Sequence, residues 1–305
     1  MDKNAFSLTA LGTAFMRGYH ARFDHALIFN DPLAYGLLTE KERFLIGQHL
    51  IERLKSVDAS EETACLGEEG ALRRALQLYT GAATVLSRAK YTDQALEVAI
   101  GRGIKQYVIL GAGMDTFAFR CPRALKKVEV FEVDHPATQA FKRNRIAELG
   151  WTIPPGLHFV PVDFTQKSLD MLGTRPPYDP AALTFFSWLG VTYYLSRVNI
   201  LDTLAALARI SPPGSLVVFD YLQPNRAANP KEAARLKVIG DSLKALGEPL
   251  KTEFAPASLS SDLDRVGLRL LEDLAPPEIQ KRYFHGRTDG YHASEHIHFA
   301  LAAVK

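Results

Sequence analysis

The chain has 305 residues, 47% hydrophobic and 23% charged, an ordinary globular composition long enough for one large domain with an appendage or for two smaller ones. Its 36 basic and 34 acidic residues leave a net charge of +2, which excludes the broad basic footprint of a nucleic-acid binder. Cys65 and Cys121 form no CxxC and no metal spacing, the N-terminus carries no apolar leader, and no stretch approaches the roughly 20 apolar residues that cross a bilayer, so a soluble cytoplasmic protein without a membrane partner is expected.

The first hundred residues carry helical period and almost no strand alternation. Leu8, Leu11, Phe15, Tyr19 and Phe23 fall close to one helical face, and Asp31-Pro32 opens another helix with proline in its first turn. Leu72, Leu76, Tyr79 and Ala83 continue the pattern, and residues 84–100 lead into the helix-closing Gly101 and Gly103. Residues 1–100 therefore read as a helical cap. From residue 106 strands alternate with helices, with strands predicted at 106–111, 127–133, 157–162, 182–188, 215–220, 268–273 and 295–304. Pro136 opens a helix that runs to Gly150, Ser196 caps one with Leu201, Leu204, Leu207 and Ala208 on its apolar face, and Ser258 caps one that ends at Gly267. This alternation predicts a doubly wound α/β fold over 101–305, a Rossmann-like, seven-stranded and mostly parallel sheet. The long connection through Pro276-Pro277 predicts that the last strand inserts antiparallel. Residues 222–257 are too many for a simple βα loop and are predicted to form a helical lid over the site.

Ligands of such sheets bind beyond the carboxyl ends of the strands, near the point where strand order reverses. Four of these ends carry informative residues: Gly111-Ala112-Gly113-Met114-Asp115-Thr116, Glu132 to Asp134, Asp163-Phe164, and Ser187 to Tyr194. Asp134 lies 21 positions after Gly113 and suits a ribose, whose two hydroxyls can both donate to a carboxylate. Asp163 can accept from the amine of adenine while Phe164 offers the ring an apolar face. A dinucleotide site would place glycine or alanine where Thr116 stands, and Asp115 would face a pyrophosphate at a cost of about a kcal/mol or more. S-adenosyl-L-methionine has no phosphate and is cationic at its ammonium and sulfonium, so electrostatics favours it over NAD.

In these segments the chain resembles the leucine carboxyl methyltransferase-like class I methyltransferases, which include protein phosphatase and tetracenomycin-type polyketide carboxyl methyltransferases. The resemblance rests on Ser87-Arg88-Ala89-Lys90-Tyr91-Thr92-Asp93, Val108 to Thr116, Phe131 to Pro136, Pro161 to Phe164, Gly190 to Leu195 and Phe219-Asp220-Tyr221, in order across roughly residues 5–300. It implies S-adenosyl-L-methionine as cofactor, released as S-adenosyl-L-homocysteine. It further implies Arg88 as the ligand of the methionine carboxylate, with Arg17 as a second basic contact. Gly111, Ala112, Gly113 and Asp115 would form the cofactor turn, Asp134 and His135 would meet the ribose end, Asp163 and Phe164 the adenine, and Ser187 would stand at the fourth strand end. One departure stands out: the family's glutamate before the Gly-Val-Thr segment is Leu189 here.

A carboxylate acceptor is ionised near neutral pH and needs alignment and desolvation, not a general base. No Ser/His/Asp order, nucleophile elbow or metal motif is present, and His296 and His298 alternate without a third ligand at fixed spacing. Tyr194, Tyr193 and Tyr221 are the candidates to orient the acceptor, with Tyr194 matching the family's tyrosine. The expected function is transfer of a methyl group to a carboxylate of a small metabolite, polyketide or peptide terminus, by a monomer or weak homodimer with no nucleic-acid partner. Arg22, Arg282 and Arg287 could hold an acidic substrate or simply face solvent. Three alternatives stay open. A hydroxyl or phenol acceptor would need a base such as His20, His135, His285 or His292; an NAD-dependent oxidoreductase is disfavoured by Asp115 and Thr116; a non-catalytic cofactor-binding protein is suggested by Leu189.

Overall fold

The computed structural model describes residues 7–57, 65–163, 169–224, 240, 244 and 249–305. Phe164 and most of the predicted lid lie outside the described residues. Among the described residues five helices come first: α1 (Leu8–Phe23), α2 (Pro32–Gly36), α3 (Glu40–Val57), α4 (Glu68–Leu78) and α5 (Thr80–Gly101). Ser7 starts α1 by accepting from the Ala10 amide at 3.2 Å, and Asp31 starts α2 by accepting from the Ala34 amide at 3.3 Å. Leu11, Phe15 and Tyr19 face inward as the period predicts, whereas Leu8 and Phe23 are exposed at the two helix ends. A Cβ on Gly18 would come within 2.3 Å of the Tyr35 nitrogen, so this glycine is what lets α2 cross close against α1.

The alternating part follows as β1 (Gln106–Leu110), α6 (Phe117–Arg120), β2 (Glu129–Asp134), α7 (Pro136–Glu148), β3 (Leu157–Pro161), β4 (Thr184–Trp188), α8 (Arg197–Ile210), β5 (Leu216–Leu222), α9 (Pro256–Arg265), β6 (Leu268–Leu274) and β7 (Ile297–Val304). The sheet order is β3-β2-β1-β4-β5-β7-β6, with β7 antiparallel to both of its neighbours. This is the mostly parallel, seven-stranded sheet with an antiparallel last strand that the sequence pattern predicts. Ser196 caps α8 through the Asn199 amide at 3.2 Å. α9 departs from expectation by starting at Pro256 and not at Ser258. The fixed φ of proline suits the first helical turn, and the Ser258 hydroxyl instead donates back to the Ala255 carbonyl at 3.2 Å.

Both faces of the sheet are covered. Leu11, Phe15, Leu86, Tyr91 and Leu96 of the N-terminal helices pack in one core with Ile109, Val130, Phe185 and Val218. On the other face Leu204, Leu207, Leu259 and Leu263 pack with Val108, Phe131, Phe186 and Phe219. Every residue of β1 and β4 is consequently buried, which is why both strands read as near-continuous apolar runs. Each fully buried aliphatic or aromatic side chain contributes about 1.5–3 kcal/mol, so the N-terminal helices are a large part of what holds the sheet's first face. No helix among the described residues is long and apolar enough to cross a membrane. The strand order reverses between β1 and β4, and the candidate site lies beyond the carboxyl ends there.

Candidate functional site

β1 runs into a turn whose Gly111 and Gly113 have φ of 67° and 51°, the left-handed region that glycine enters without steric cost. The Gly111 and Ala112 amides donate to the Val133 carbonyl at 2.8 and 3.2 Å, which ties the turn to the end of β2. A Cβ on Gly111 would lie 2.5 Å from Val191 Cγ2, so its absence lets the segment after β4 close over the turn. Asp115 accepts from the Phe117 amide at 2.6 Å and thereby starts α6. The structure places its carboxylate as a helix-starting group beside the turn.

Asp134, at the end of β2, accepts from the Gly113 amide at 2.5 Å and from the His135 amide at 2.6 Å. Burial pushes its carboxyl up from the usual range, and these two amide bonds oppose that shift. His135 caps α7, its Nδ1 accepting from the Ala137 amide at 3.3 Å, which turns Nε2 towards Asp163 Oδ2 at 3.9 Å. Asp134, His135 and Asp163 thus gather at the ends of β2 and β3. The Val162 amide, which donates to the Asp134 carbonyl at 2.8 Å, locks the two ends together.

The other end of the crevice is built on Arg88, which α5 carries beneath the ends of β4 and β5. Its Nη1 donates to Asp220 Oδ2 at 2.7 Å and to the Tyr193 hydroxyl at 2.9 Å. Burial works against the guanidinium charge, but the Asp220 carboxylate outweighs it and holds Arg88 firmly protonated. The Tyr193 phenol, pushed up by burial and by Asp220, stays neutral and donates to Asp220 Oδ2 at 3.3 Å. Asp220 Oδ1 accepts from the Gly190 amide at 2.6 Å. Leu189, where the family carries an acid, packs against the apolar core instead, so the carboxylate nearest this turn comes from β5. Tyr194 sets its ring edge-on to Tyr193, centroids 4.8 Å apart.

Two residues singled out in the sequence are occupied by partners within the fold. The Ser187 hydroxyl is buried against the Tyr107 hydroxyl at 2.9 Å, within the sheet and not beyond its edge. Tyr221 points to the face opposite Asp220, donates to both oxygens of Asp273 at 3.0 and 2.9 Å, and stacks on His298. Strand alternation accounts for Tyr221, which shares a face with Phe219; Ser187 lies on the Phe185 and Val218 face, the same as Asp220, and is held by its bond to Tyr107.

Sequence reading assigned no role to Asp220, although an acid ending a buried strand is the signal that marked Asp134. It also missed the group that clamps the glycine turn. Arg17 Nη2 donates to the Met114 carbonyl at 2.7 Å while its Nε pairs with Asp31 at 2.9 Å. Asp31 also accepts from the Thr116 hydroxyl at 2.6 Å. Arg17 is thus committed to the turn. Arg120 holds Asp93 of α5 through both terminal nitrogens, at 2.6 and 2.9 Å, which ties the helix after the turn to the helix that bears Arg88. Arg287 is held by Asp289 and the Ala26 carbonyl, Arg282 pairs with Glu272 at 3.4 Å, and Arg22 lies over the Tyr35 ring. His20, buried on α1, has Nδ1 on Asp24 at 2.6 Å and accepts from the Ile28 amide at Nε2. Among the described residues no cluster of three or more histidines, cysteines or carboxylates is arranged to hold a metal ion.

Residues 10–208 match the family model described as leucine carboxyl methyltransferase. Over 312 aligned residues and the whole of both chains, this chain is 37% identical to YktD of Bacillus subtilis strain 168, provisionally named an S-adenosyl-L-methionine-dependent methyltransferase. A Mycobacterium marinum protein of the same provisional name is 32% identical over 78% of this chain and 73% of its own. The crystal structure of a DUF574 family protein from Streptomyces avermitilis MA-4680 shares the fold, with a TM-score of 0.54 at 15% identity, over 78% of this chain and 90% of that one.

Proposed function

The chain belongs to the leucine carboxyl methyltransferase family, and from that premise we propose that it methylates a carboxylate of a small metabolite, polyketide or peptide terminus. S-adenosyl-L-methionine is the cofactor of this family, and when bound it supplies an electrophilic methyl group whose carbon–sulfur bond breaks as the new carbon–oxygen bond forms, the electron pair staying on sulfur. The residues present fit it. Asp134 is an acceptor beside the glycine turn for the ribose hydroxyls, and Asp163 is an acid at the next strand end for the adenine amine. Arg88 is the buried cation for the methionine carboxylate. The acids Asp115, Asp134 and Asp163 around the turn suit a cationic ligand without phosphate.

The family match is the observation that carries a carboxylate acceptor, and the buried histidine of α1 is consistent with it. A hydroxyl acceptor needs a base, and His20 and His298 have both ring nitrogens engaged, His298 by Asp273 at 3.0 Å and Gln223 at 3.1 Å. His135 uses Nδ1 to cap α7 and turns Nε2 towards Asp163 at 3.9 Å, His292 is held at Nδ1 by the Gly290 carbonyl at 2.9 Å, and His285 is exposed. A carboxylate arrives already ionised and asks the protein only for alignment and exclusion of water. Tyr194, beside the Arg88 cluster, is the residue assigned to orient it. The test is to incubate the protein with methyl-labelled cofactor and an extract of metabolites and peptides, then treat the labelled product with mild base. A methyl ester releases its label as methanol; label that survives as a base-stable ether sinks the carboxylate assignment.

A further inference from the structure

We propose that Asp220 is a positioning residue of the methyl-transfer site, fixing Arg88 and the Gly190 turn so that the free edge of the guanidinium meets the amino-acid end of the cofactor. The inference rests on the cofactor reading above. Asp220 is fully buried, so it cannot touch a ligand itself. Its carboxylate is shared between elements: Oδ1 takes the Gly190 amide at 2.6 Å, and Oδ2 takes Arg88 Nη1 at 2.7 Å and the Tyr193 hydroxyl at 3.3 Å. Its main-chain carbonyl takes the Thr192 hydroxyl at 2.6 Å. One acid therefore sets a helix side chain and the whole turn after β4 relative to β5.

The consequence for Arg88 is geometric. With Nη1 held on Asp220, its Nη2 lies in the hollow of Gly190, 2.4 Å from where a Cβ would stand. Gly190 has φ of 73° and no side chain, so the guanidinium can reach the crevice there. Asp134 closes β2 and Asp220 lies near the carboxyl end of β5, three strand spacings or about 14 Å across the sheet, which puts a nucleoside acceptor at one end and a cation at the other. The electrostatics then selects the ligand group. The Arg88–Asp220 pair is neutral as a whole, and a neutral pair in a buried site suits a zwitterion, carboxylate with ammonium, better than a bare anion. The amino-acid end of the cofactor is such a zwitterion.

Two ligands separate positioning from general damage. S-adenosyl-L-homocysteine carries the amino-acid end, and 5′-methylthioadenosine has the same nucleoside without it. In Asp220→Asn the new amide group must point its own N–H at either Arg88 or the Gly190 amide, so one of the two contacts is lost. Calorimetry on the full chain should show Asp220→Asn weakening S-adenosyl-L-homocysteine by about tenfold to a hundredfold, the scale of one charge-assisted hydrogen bond. Binding of 5′-methylthioadenosine should stay within about twofold, because its contacts are made at the far end. Tyr193→Phe, which keeps the ring and removes the bridging hydroxyl, should weaken S-adenosyl-L-homocysteine alone by about threefold, and it carries the test if the Asn variant does not fold. Equal weakening of both ligands, or unchanged S-adenosyl-L-homocysteine affinity in a folded variant, overturns the positioning role. If the parent protein binds neither ligand, it is the cofactor reading that fails.

Discussion

Gly190→Ala puts a methyl group where the structure has a guanidinium. Two costs arise, and they can be separated. The residue has φ of 73°, and an L side chain in the left-handed region costs about 1–2 kcal/mol. The new Cβ would also stand 2.4 Å from Arg88 Nη2 and 2.9 Å from its Nη1 and Cζ, so Arg88 must leave its place on Asp220. Losing that charge-assisted contact adds about 1.5–3 kcal/mol, for a sum of about 2.5–5 kcal/mol. At about 2 °C per kcal/mol for a chain of this size, the melting temperature should fall by about 5–10 °C. Gly286 supplies the control: its φ is also 73°, yet nothing lies within 4 Å of its ideal Cβ. Gly286→Ala should therefore pay the backbone cost alone, a fall of about 2–4 °C. Thermal melts of both variants, with and without S-adenosyl-L-homocysteine, read the difference. The ligand should still raise the melting temperature of Gly286→Ala and do so much less for Gly190→Ala. Equal losses in the two variants, with equal ligand stabilisation, would refute the reasoning that Gly190 exists to admit Arg88.

Glu132 of β2 and Lys142 of α7 form a buried ion pair at 2.5 Å, with Glu132 Oε1 left without a partner. Above pH 7, where Glu132 is ionised, Glu132→Gln leaves the lysine charge uncompensated and should cost about 3–5 kcal/mol in urea unfolding, whereas the double change with Lys142→Met should recover most of that loss; no recovery would mean that the lysine is not the penalty. Burial raises the Glu132 carboxyl to about 7 against the pull of Lys142. Its contribution is therefore fully present below the unfolded value of about 4.3 and is lost as pH rises through about 7, so the parent's stability should slope downward across that window and the double variant's slope should be flatter. Asp134→Ala removes the acceptor that faces the Gly113 amide, and calorimetry should find S-adenosyl-L-homocysteine binding abolished; unchanged affinity would rule out the ribose assignment.

The central strands were legible in the sequence because a strand buried on both faces is an apolar run, whereas the edge strands β3 and β6 are only partly buried and were placed by their position between helices and turns. The caps at Asp31 and Ser196 were legible for the same local reason. At α9 two local rules competed, and the proline two residues before the serine took the start. The cluster of Asp134, His135 and Asp163 could be anticipated because these residues follow strands directly. Which way a strand-end residue faces was also available from alternation, and applying it would have set Tyr221 on the face opposite Asp220 and drawn attention to the acid. What no local pattern could give are the partners across the chain: Thr116 meets Asp31 from 85 positions away, and Arg17 meets the Met114 carbonyl from 97. Those pairings exist only once α1 and α2 lie on the sheet.

That clamp bears on how relatives could be recombined. Asp31 is wholly buried, and Arg17 with the Thr116 hydroxyl holds its carboxyl below the ordinary range in spite of burial. An N-terminal segment transplanted from a relative to alter acceptor choice would have to bring an arginine and an aspartate matched to this turn, and keep an acid opposite Arg120. Without them, the exchange would unseat the glycine turn before any new substrate reached it. The N-terminal helices and the glycine turn are thus inherited together, through Arg17, Asp31 and Thr116.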